Sequence, residues 1–193
     1  IAGASVIILL LVSSVSCTHS NRQVEYEPLS VVPVPALMEA ADGAFMLRTG
    51  TGIIVDPAFE SSESLVDMFN GFLEKHYGKI QVTKLVDPAT GGVIRAIHDS
   101  MIVNPEAYRL VVAGEDITIE AGDDAGLFFA FQTLMQLIFP SQKAEKGAIA
   151  IPCVKISDTP MYRWRGMHFD VSRHFFSKEF IFRMLDAMAM HKL

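Results

Sequence analysis

Two cysteines and one tryptophan stand in a chain of 193 residues. Cys17 and Cys153 are too few for the disulfide framework that supports many small exported domains. Charge is sparse as well: only 20% of residues are Asp, Glu, Lys or Arg, and the net charge is −6 with no basic run. That excludes nucleic acid as a partner, because a phosphate backbone needs clustered cations. No apolar stretch is long enough to span a bilayer; Val6–Val12 falls well short of the ~20 residues required. Familiar catalytic signatures are missing too. Ser172 has no Gly-x-Ser-x-Gly elbow, and Gly50-Thr51-Gly52 lacks the further glycines and the Lys of a phosphate loop. His168 and His174 have no second ligand at metal spacing, so neither a metal nor a cofactor is expected. No Asp-Glu dipeptide occurs anywhere.

What is present begins with substance for a core. Half of the residues are apolar, which excludes disorder as the dominant state. Residues 1–17, IAGASVIILLLVSSVSC, pair a short apolar run with small residues, as a secretory leader does. The segment resembles a bacterial lipoprotein signal with Cys17 as the lipidated residue, although Ser14 stands where such signals prefer Leu. The alternative is an ordinary signal peptide with an incidental cysteine. A lipid on Cys17 would make the protein a membrane-anchored envelope lipoprotein; otherwise it would be periplasmic or secreted.

Residues 18–35 are polar and then Pro-punctuated, and read as a tether. Over 36–157 the pattern is that of a small α+β domain. Strands are expected at Phe45–Leu47, Gly52–Val55, Ile80–Val86, Val93–His98, Arg109–Ala113 and Ile117–Ala121. One helix starts at Ser61 or Ser62, carries Leu65, Met68, Phe69, Phe72 and Leu73 on one stripe, and stops at Gly78. A second, capped by Asp123 or Asp124, carries Leu127, Ala130, Phe131, Leu134, Met135 and Ile138 and ends at Pro140. Strands followed by helices predict a mostly antiparallel sheet with two helices on one face. Cys153, inside the apolar run Ile149–Ile156, reads as a buried structural thiol. Asp123-Asp124 resembles a catalytic pair only superficially; at a helix start, capping is the better reading.

From residue 158 to 193 the character changes. Asp158-Thr159-Pro160 makes a turn, Trp164–Val171 is expected as a strand, and Ser177 caps a third helix with Ile181, Met184, Leu185 and Met188 on one face. Trp164 and Arg165-Gly166 read as a packed aromatic and a tight strand entry. The strand breaks into a polar turn, Asp170-Val171-Ser172-Arg173-His174. Functional groups at the C-terminal end of a strand that leads into a helix are the layout of a (β/α) barrel active site. Arg173 is the sharpest candidate there, since its planar fork of five donors suits adjacent hydroxyls. The plainer role for it is an ion pair with Asp170, which can also take hydrogen bonds within the turn. His174 is expected to pack or hydrogen-bond beneath the site.

The run Arg165-Gly166-Met167-His168-Phe169-Asp170-Val171-Ser172-Arg173-His174-Phe175-Phe176 resembles the opening barrel strand of family 20 glycoside hydrolases, the β-N-acetylhexosaminidases. Residues 108–138 likewise resemble the small domain that precedes the barrel in that family. The resemblance implies the first βα unit of an incomplete (β/α)8 barrel after the α+β domain, since a whole barrel takes about 250 residues. It implies a role for Arg173 in gripping hydroxyls of a terminal N-acetylhexosamine on an oligosaccharide substrate, supported by Asp170 and His174. It also implies substrate-assisted retaining hydrolysis, in which the 2-acetamido oxygen attacks its own anomeric carbon. The Asp-Glu pair serving that chemistry belongs to a later strand, so no catalytic residue is expected in this chain and the chain alone should be inactive.

Two other readings compete. A non-catalytic sugar-binding lipoprotein could use the same small domain without a barrel, and the intact Asp-Val-Ser-Arg-His run speaks against it. Another barrel glycosidase could follow a related small domain, but its first strand would not be expected to carry that run.

Overall fold

A computed structural model describes residues 29–85, 92–138 and 147–193. The leader with Cys17, most of the tether, the Asp87-Pro88 turn, and Pro140 with most of its loop lie outside the described residues. The elements run β1 (Leu37–Arg48), β2 (Gly52–Val55), α1 (Ser62–Tyr77), β3 (Thr83–Lys84), β4 (Val93–His98), β5 (Tyr108–Val112), β6 (Asp116–Ala121), α2 (Asp124–Ile138), β7 (Ala148–Asp158) and α3 (Lys178–Met190). The strands form one sheet in the order β1-β7-β5-β6-β4-β2-β3. The half from β1 to β6, which holds the two longest strands, is antiparallel; the half from β6 to β3 is parallel.

The parallel half is the departure from the expected mostly antiparallel layer. For the β2–β3 pair the cause is α1, which returns the chain to the end where β2 began, so β3 can only run alongside β2 in the same direction. Of the expected strand Ile80–Val86, whose last residue lies outside the described residues, residues 80–85 form strand only at Thr83–Lys84, for a local reason. The Asn70 side chain on α1 accepts from the Val82 amide at 2.8 Å and donates to its carbonyl at 3.2 Å, replacing ladder partners there.

The sheet cannot be flat. Five strand spacings separate β1 from β2, about 24 Å, yet the connection from Arg48 to Gly52 reaches only about 14 Å. The β1–β7 ribbon therefore curls around the core and delivers Phe45 and Leu47 into it, both fully buried. A register shift between Ala40 and Ala44 supplies the bend. Pro152 and Cys153 lie opposite it, beyond the stretch where β5 pairs with β7, so the missing Pro152 N–H removes no bond on that side. Cys153 is buried as expected, and burial pushes its thiol pKa up.

Alternation then sorts the two faces. Tyr108, Leu110 and Val112 on β5 and Ile117, Ile119 and Ala121 on β6 point into the core. The opposite face is wet and carries cross-strand pairs, Arg95 to Asp116 at 2.7 Å and Arg109 to Glu120 at 3.0 Å. α1 and α2 share the core side, with Phe69 and Phe131 edge to face at 5.6 Å. Asp123 caps α2, its carboxylate accepting from the Gly126 amide at 2.7 Å. Asp124 instead ties the two helix starts together by accepting from the Ser61 amide at 2.9 Å and from the Ser61 hydroxyl. Ser61 thus occupies the cap position of α1 without capping it. Gly78 ends α1 as expected, at φ 72° with its amide on the Glu74 carbonyl. α2 is buried on nearly all sides, including Gln132, Thr133 and Gln136, because α3 covers the flank that the sheet does not.

Candidate substrate-binding turn

Past Asp158 the packing thins. Residues 164–170 take up no regular secondary structure and pair with no strand among the described residues, so the expected strand Trp164–Val171 has no ladder. A strand is a paired object, and its N–H and C=O groups need neighbours to become one. Trp164, expected to be packed, is 91% exposed for the same reason. α3 forms as anticipated: Ser177 caps it by accepting from the Phe180 amide at 3.2 Å. Glu179 lies in its first turn, and its own backbone amide together with the Ser177 hydroxyl holds its carboxyl below the usual range. None of its residues is buried; Ile181, Met184 and Met188 are half-covered, while Leu185 stays exposed beside α1 and α2.

Between the irregular segment and α3 lies the turn 170–174. Asp170 organises it, one carboxylate oxygen accepting from the Ser172 and Arg173 amides at 3.1 Å each. Its other oxygen holds Arg173 Nε at 2.9 Å. The ion pair with Asp170, the plainer role read for Arg173, is thus present, and Asp170 also accepts within the turn. Of the Arg173 guanidinium, Nε alone has a partner among the described residues, and the side chain is 85% exposed. The η nitrogens are consequently presented outward as donors, on an arm steered by a carboxylate. His174 is exposed beside Arg173 rather than packed beneath it. The packing at the base comes from aromatics: Phe169 meets Phe176 edge-on at 6.2 Å, and Phe176 stacks on Phe180 at 4.8 Å. The i, i+4 spacing of Phe176 and Phe180 was the readable trace of that support.

A second polar cluster, not foreseen, sits where this segment meets the sheet. Lys192 Nζ lies 2.7 Å from an Asp158 oxygen and 2.8 Å from the Tyr108 hydroxyl, which is 2.6 Å from Thr133 Oγ1. Arg165 donates to the Lys192 carbonyl at 2.7 Å, pairs with Glu106, and covers the Phe129 ring at 5.6 Å. Burial pushes the Tyr108 pKa far up, and the Asp158 charge adds to that. Burial pulls the Lys192 pKa down, with Asp158 working the other way. No sequence signal marked these residues, because His191-Lys192-Leu193 reads as an ordinary solvated helix end. Beside the cluster a cavity of about 320 Å³ is lined by Pro33, Phe129, Pro160 and Tyr162 among others. Among the described residues no group of three His, Cys, Asp or Glu side chains converges as a metal site would require.

Comparison with known proteins agrees with this division into a curled α+β layer and an unfinished βα unit. Residues 28–159 match the model of glycosyl hydrolase family 20, domain 2, and residues 162–193 match the catalytic domain of the same family. The chain belongs to glycosyl hydrolase family 20. It is 31% identical to a β-N-acetylhexosaminidase of Cellulomonas fimi over 86% of its own length and 33% of that protein's. It is 29% identical to the N,N'-diacetylchitobiase of Vibrio harveyi over 94% of its length and 20% of the relative's. Among solved structures, the β-N-acetylhexosaminidase of Streptomyces coelicolor superposes with a TM-score of 0.72 at 33% identity, over 86% of this chain and 34% of that one. A Vibrio harveyi exo-β-N-acetylglucosaminidase in complex with N-acetylglucosamine gives 0.71 at 27% identity, over 84% and 24%. The chain thus spans about a third or less of these relatives. Its α+β domain followed by a partial barrel unit fits that family.

Proposed function

We propose that this chain is the N-terminal part of an exported β-N-acetylhexosaminidase that releases terminal N-acetylglucosamine or N-acetylgalactosamine from oligosaccharides or glycans. The hydrolysis is the substrate-assisted retaining reaction, and the Asp-Glu pair that serves it lies on barrel strands other than the one begun here. The division falls near Asp158, with the α+β domain over 36–157 as support and the barrel opening over 158–193. Arg173 binds hydroxyls of the terminal sugar, steered by Asp170. One observation carries this role: an outward guanidinium, held among the described residues by Nε alone, in a turn of the segment that matches the family's catalytic domain. Residues 1–17 direct export, and Cys17 carries a lipid that anchors the enzyme to a bacterial envelope membrane.

The test is kinetic, in the full-length protein acting on a chromogenic N-acetylglucosaminide. A hydrogen bond to a charged group contributes about 1.5–3 kcal/mol, and each ~1.4 kcal/mol is about tenfold. Arg173→Ala should therefore lower kcat/KM by roughly one to two orders of magnitude. Wild-type kinetics in a folded variant would place Arg173 outside the site. In the same strain Cys17→Ser should move the enzyme from the membrane fraction to the soluble one, and retention in the membrane would remove the lipid anchor from the reading.

A further inference from the structure

Among the described residues, two that are not glycine have positive φ, Glu106 at 67° and Lys192 at 57°. Left-handed backbone at such residues is strained and persists only where the surroundings over-determine it. Here one side chain joins the two, since Arg165 pairs with Glu106 and donates to the Lys192 carbonyl at 2.7 Å. Arg165 lies at the start of the segment that leads to Arg173, and Lys192 follows the helix that leads away from it. Both ends of the βα unit are thus gathered on one patch of the α+β domain. A third tie lies beside them: Gln136 of α2 donates to the Met190 carbonyl at 2.8 Å.

The chemistry of the patch is that of a locator rather than a glue. The Lys192 side chain is only 7% exposed and that of Asp158 only 15%. Removing two charges from water costs about as much as their pairing returns, so such a pair adds little net stability. What it does impose is one geometry, because only one placement of Lys192 satisfies Asp158 and Tyr108 together. The remainder of the segment has little else to hold it, Trp164, Gly166, Met167 and His168 all being exposed. α3, 13 residues and roughly 20 Å long, is the rigid arm between the patch and the turn.

We propose that Lys192, with Asp158 and Tyr108, is a registry latch. It fixes the first barrel unit on the α+β domain, and Lys192 is thereby a positioning residue for the turn that carries Arg173. The latch rests on geometry alone; its consequence for sugar binding rests on the proposed function of Arg173.

The experiment compares the full-length wild type with Lys192→Met and with the double variant Asp158→Asn/Lys192→Met. In the double variant the asparagine oxygen still accepts from the Ala36 and Thr159 amides, as Asp158 does at 3.2 and 3.0 Å. Its NH2 group then donates to the Tyr108 hydroxyl, so no buried charge or donor is stranded. The single variant leaves Asp158 buried without its cation and should lower Tm by about 5 °C or more. The double variant should recover Tm to within about 2 °C, while the Ser172 and Arg173 amides still exchange about tenfold faster than in the wild type. Wild-type exchange in the double variant would reduce the cluster to an ordinary contact. Failure to recover Tm would make the pair a stabiliser instead of a locator. Either result overturns the proposal. KM for the chromogenic substrate separates this from the functional reading: fast exchange with unchanged KM faults the sugar-binding role of Arg173 and leaves the latch standing.

Discussion

The two parts of the chain treat similar side chains in opposite ways. In the α+β domain Phe45, Phe69, Tyr108 and Phe131 are all sealed from solvent. In the barrel opening Tyr162, Trp164, Phe175 and Phe182 stand in it. Aromatic content does not explain this, since residues 158–193 are the richer in aromatics, seven in 36 against ten in 122 over 36–157. Partners separate them. The α+β domain brings its own: sheet, α1, α2 and the curled ribbon each cover one another. The βα unit brings a helix and an irregular segment, and covers its apolar groups in part, where α3 rests on α2, where Arg165 and Lys192 dock and where Phe176 packs between Phe169 and Phe180. Burial is a property of the assembly, not of the residue, and the same apolar residue contributes only where something covers it.

The largest test of that contrast is a pair of phenylalanine truncations. Phe131 is fully buried and edge-on to Phe69, so Phe131→Ala should cost about 3–5 kcal/mol in unfolding free energy. Phe175 is 92% exposed, so Phe175→Ala should change stability by no more than about 0.5 kcal/mol. Urea unfolding of this chain measures both. A comparable loss from the two variants would break the contrast and show that the barrel opening carries core stability of its own.

Backbone proximity gives a subtler pair. Gly126 sits in the first turn of α2, where Ala would ordinarily gain about 1 kcal/mol. A Cβ there would lie 2.4 Å from the Ala107 carbonyl oxygen, a backbone atom that cannot rotate away. Gly126→Ala should therefore reverse sign and cost about 1–3 kcal/mol. Gly166, in the irregular segment before Asp170, has nothing within 4 Å of such a Cβ, so Gly166→Ala should stay within about 0.5 kcal/mol of wild type. A stabilised Gly126→Ala would mean that α2 can slide away from β5.

This difference also explains which features were readable in advance. Local signals acted where local chemistry decides: Gly52–Val55 and Val93–His98 form as strands, Gly78 stops α1, Ser177 caps α3, and the apolar stripe of α2 faces the core. Asp170 and Arg173 meet because they are three residues apart in one turn. Features that depend on distant partners were not readable. Tyr108, Asp158 and Lys192 converge from β5, the end of β7 and the second residue past α3, and no spacing announces it. Trp164 looked like a packed aromatic because its type favours burial, yet nothing near it in the fold takes it in. The parallel half of the sheet depends on which edge α1 returns to, a choice made by packing and not by periodicity.

The smallest effect tests electrostatics inside the region that is well packed. Asp124 accepts from the Ser61 hydroxyl and amide, and the hydroxyl bond is the main reason that its carboxyl titrates below the usual range. Those bonds favour the charged form, so the folded state holds the proton less tightly than the unfolded chain does. The stabilisation is then fully present above the unfolded carboxylate value, about 3.9, and fades as pH falls through the lower folded value. Asp124→Asn keeps an acceptor for Ser61 but removes the charge and its preference for a helix start. For this partly exposed site the loss at pH 7 should be about 1 kcal/mol. Unfolding free energies of wild type and variant should then converge as the pH is lowered towards about 2. A gap that stays constant from pH 7 into that range would show that Asp124 acts by shape and not by charge, and that the tie between the starts of α1 and α2 is neutral hydrogen bonding.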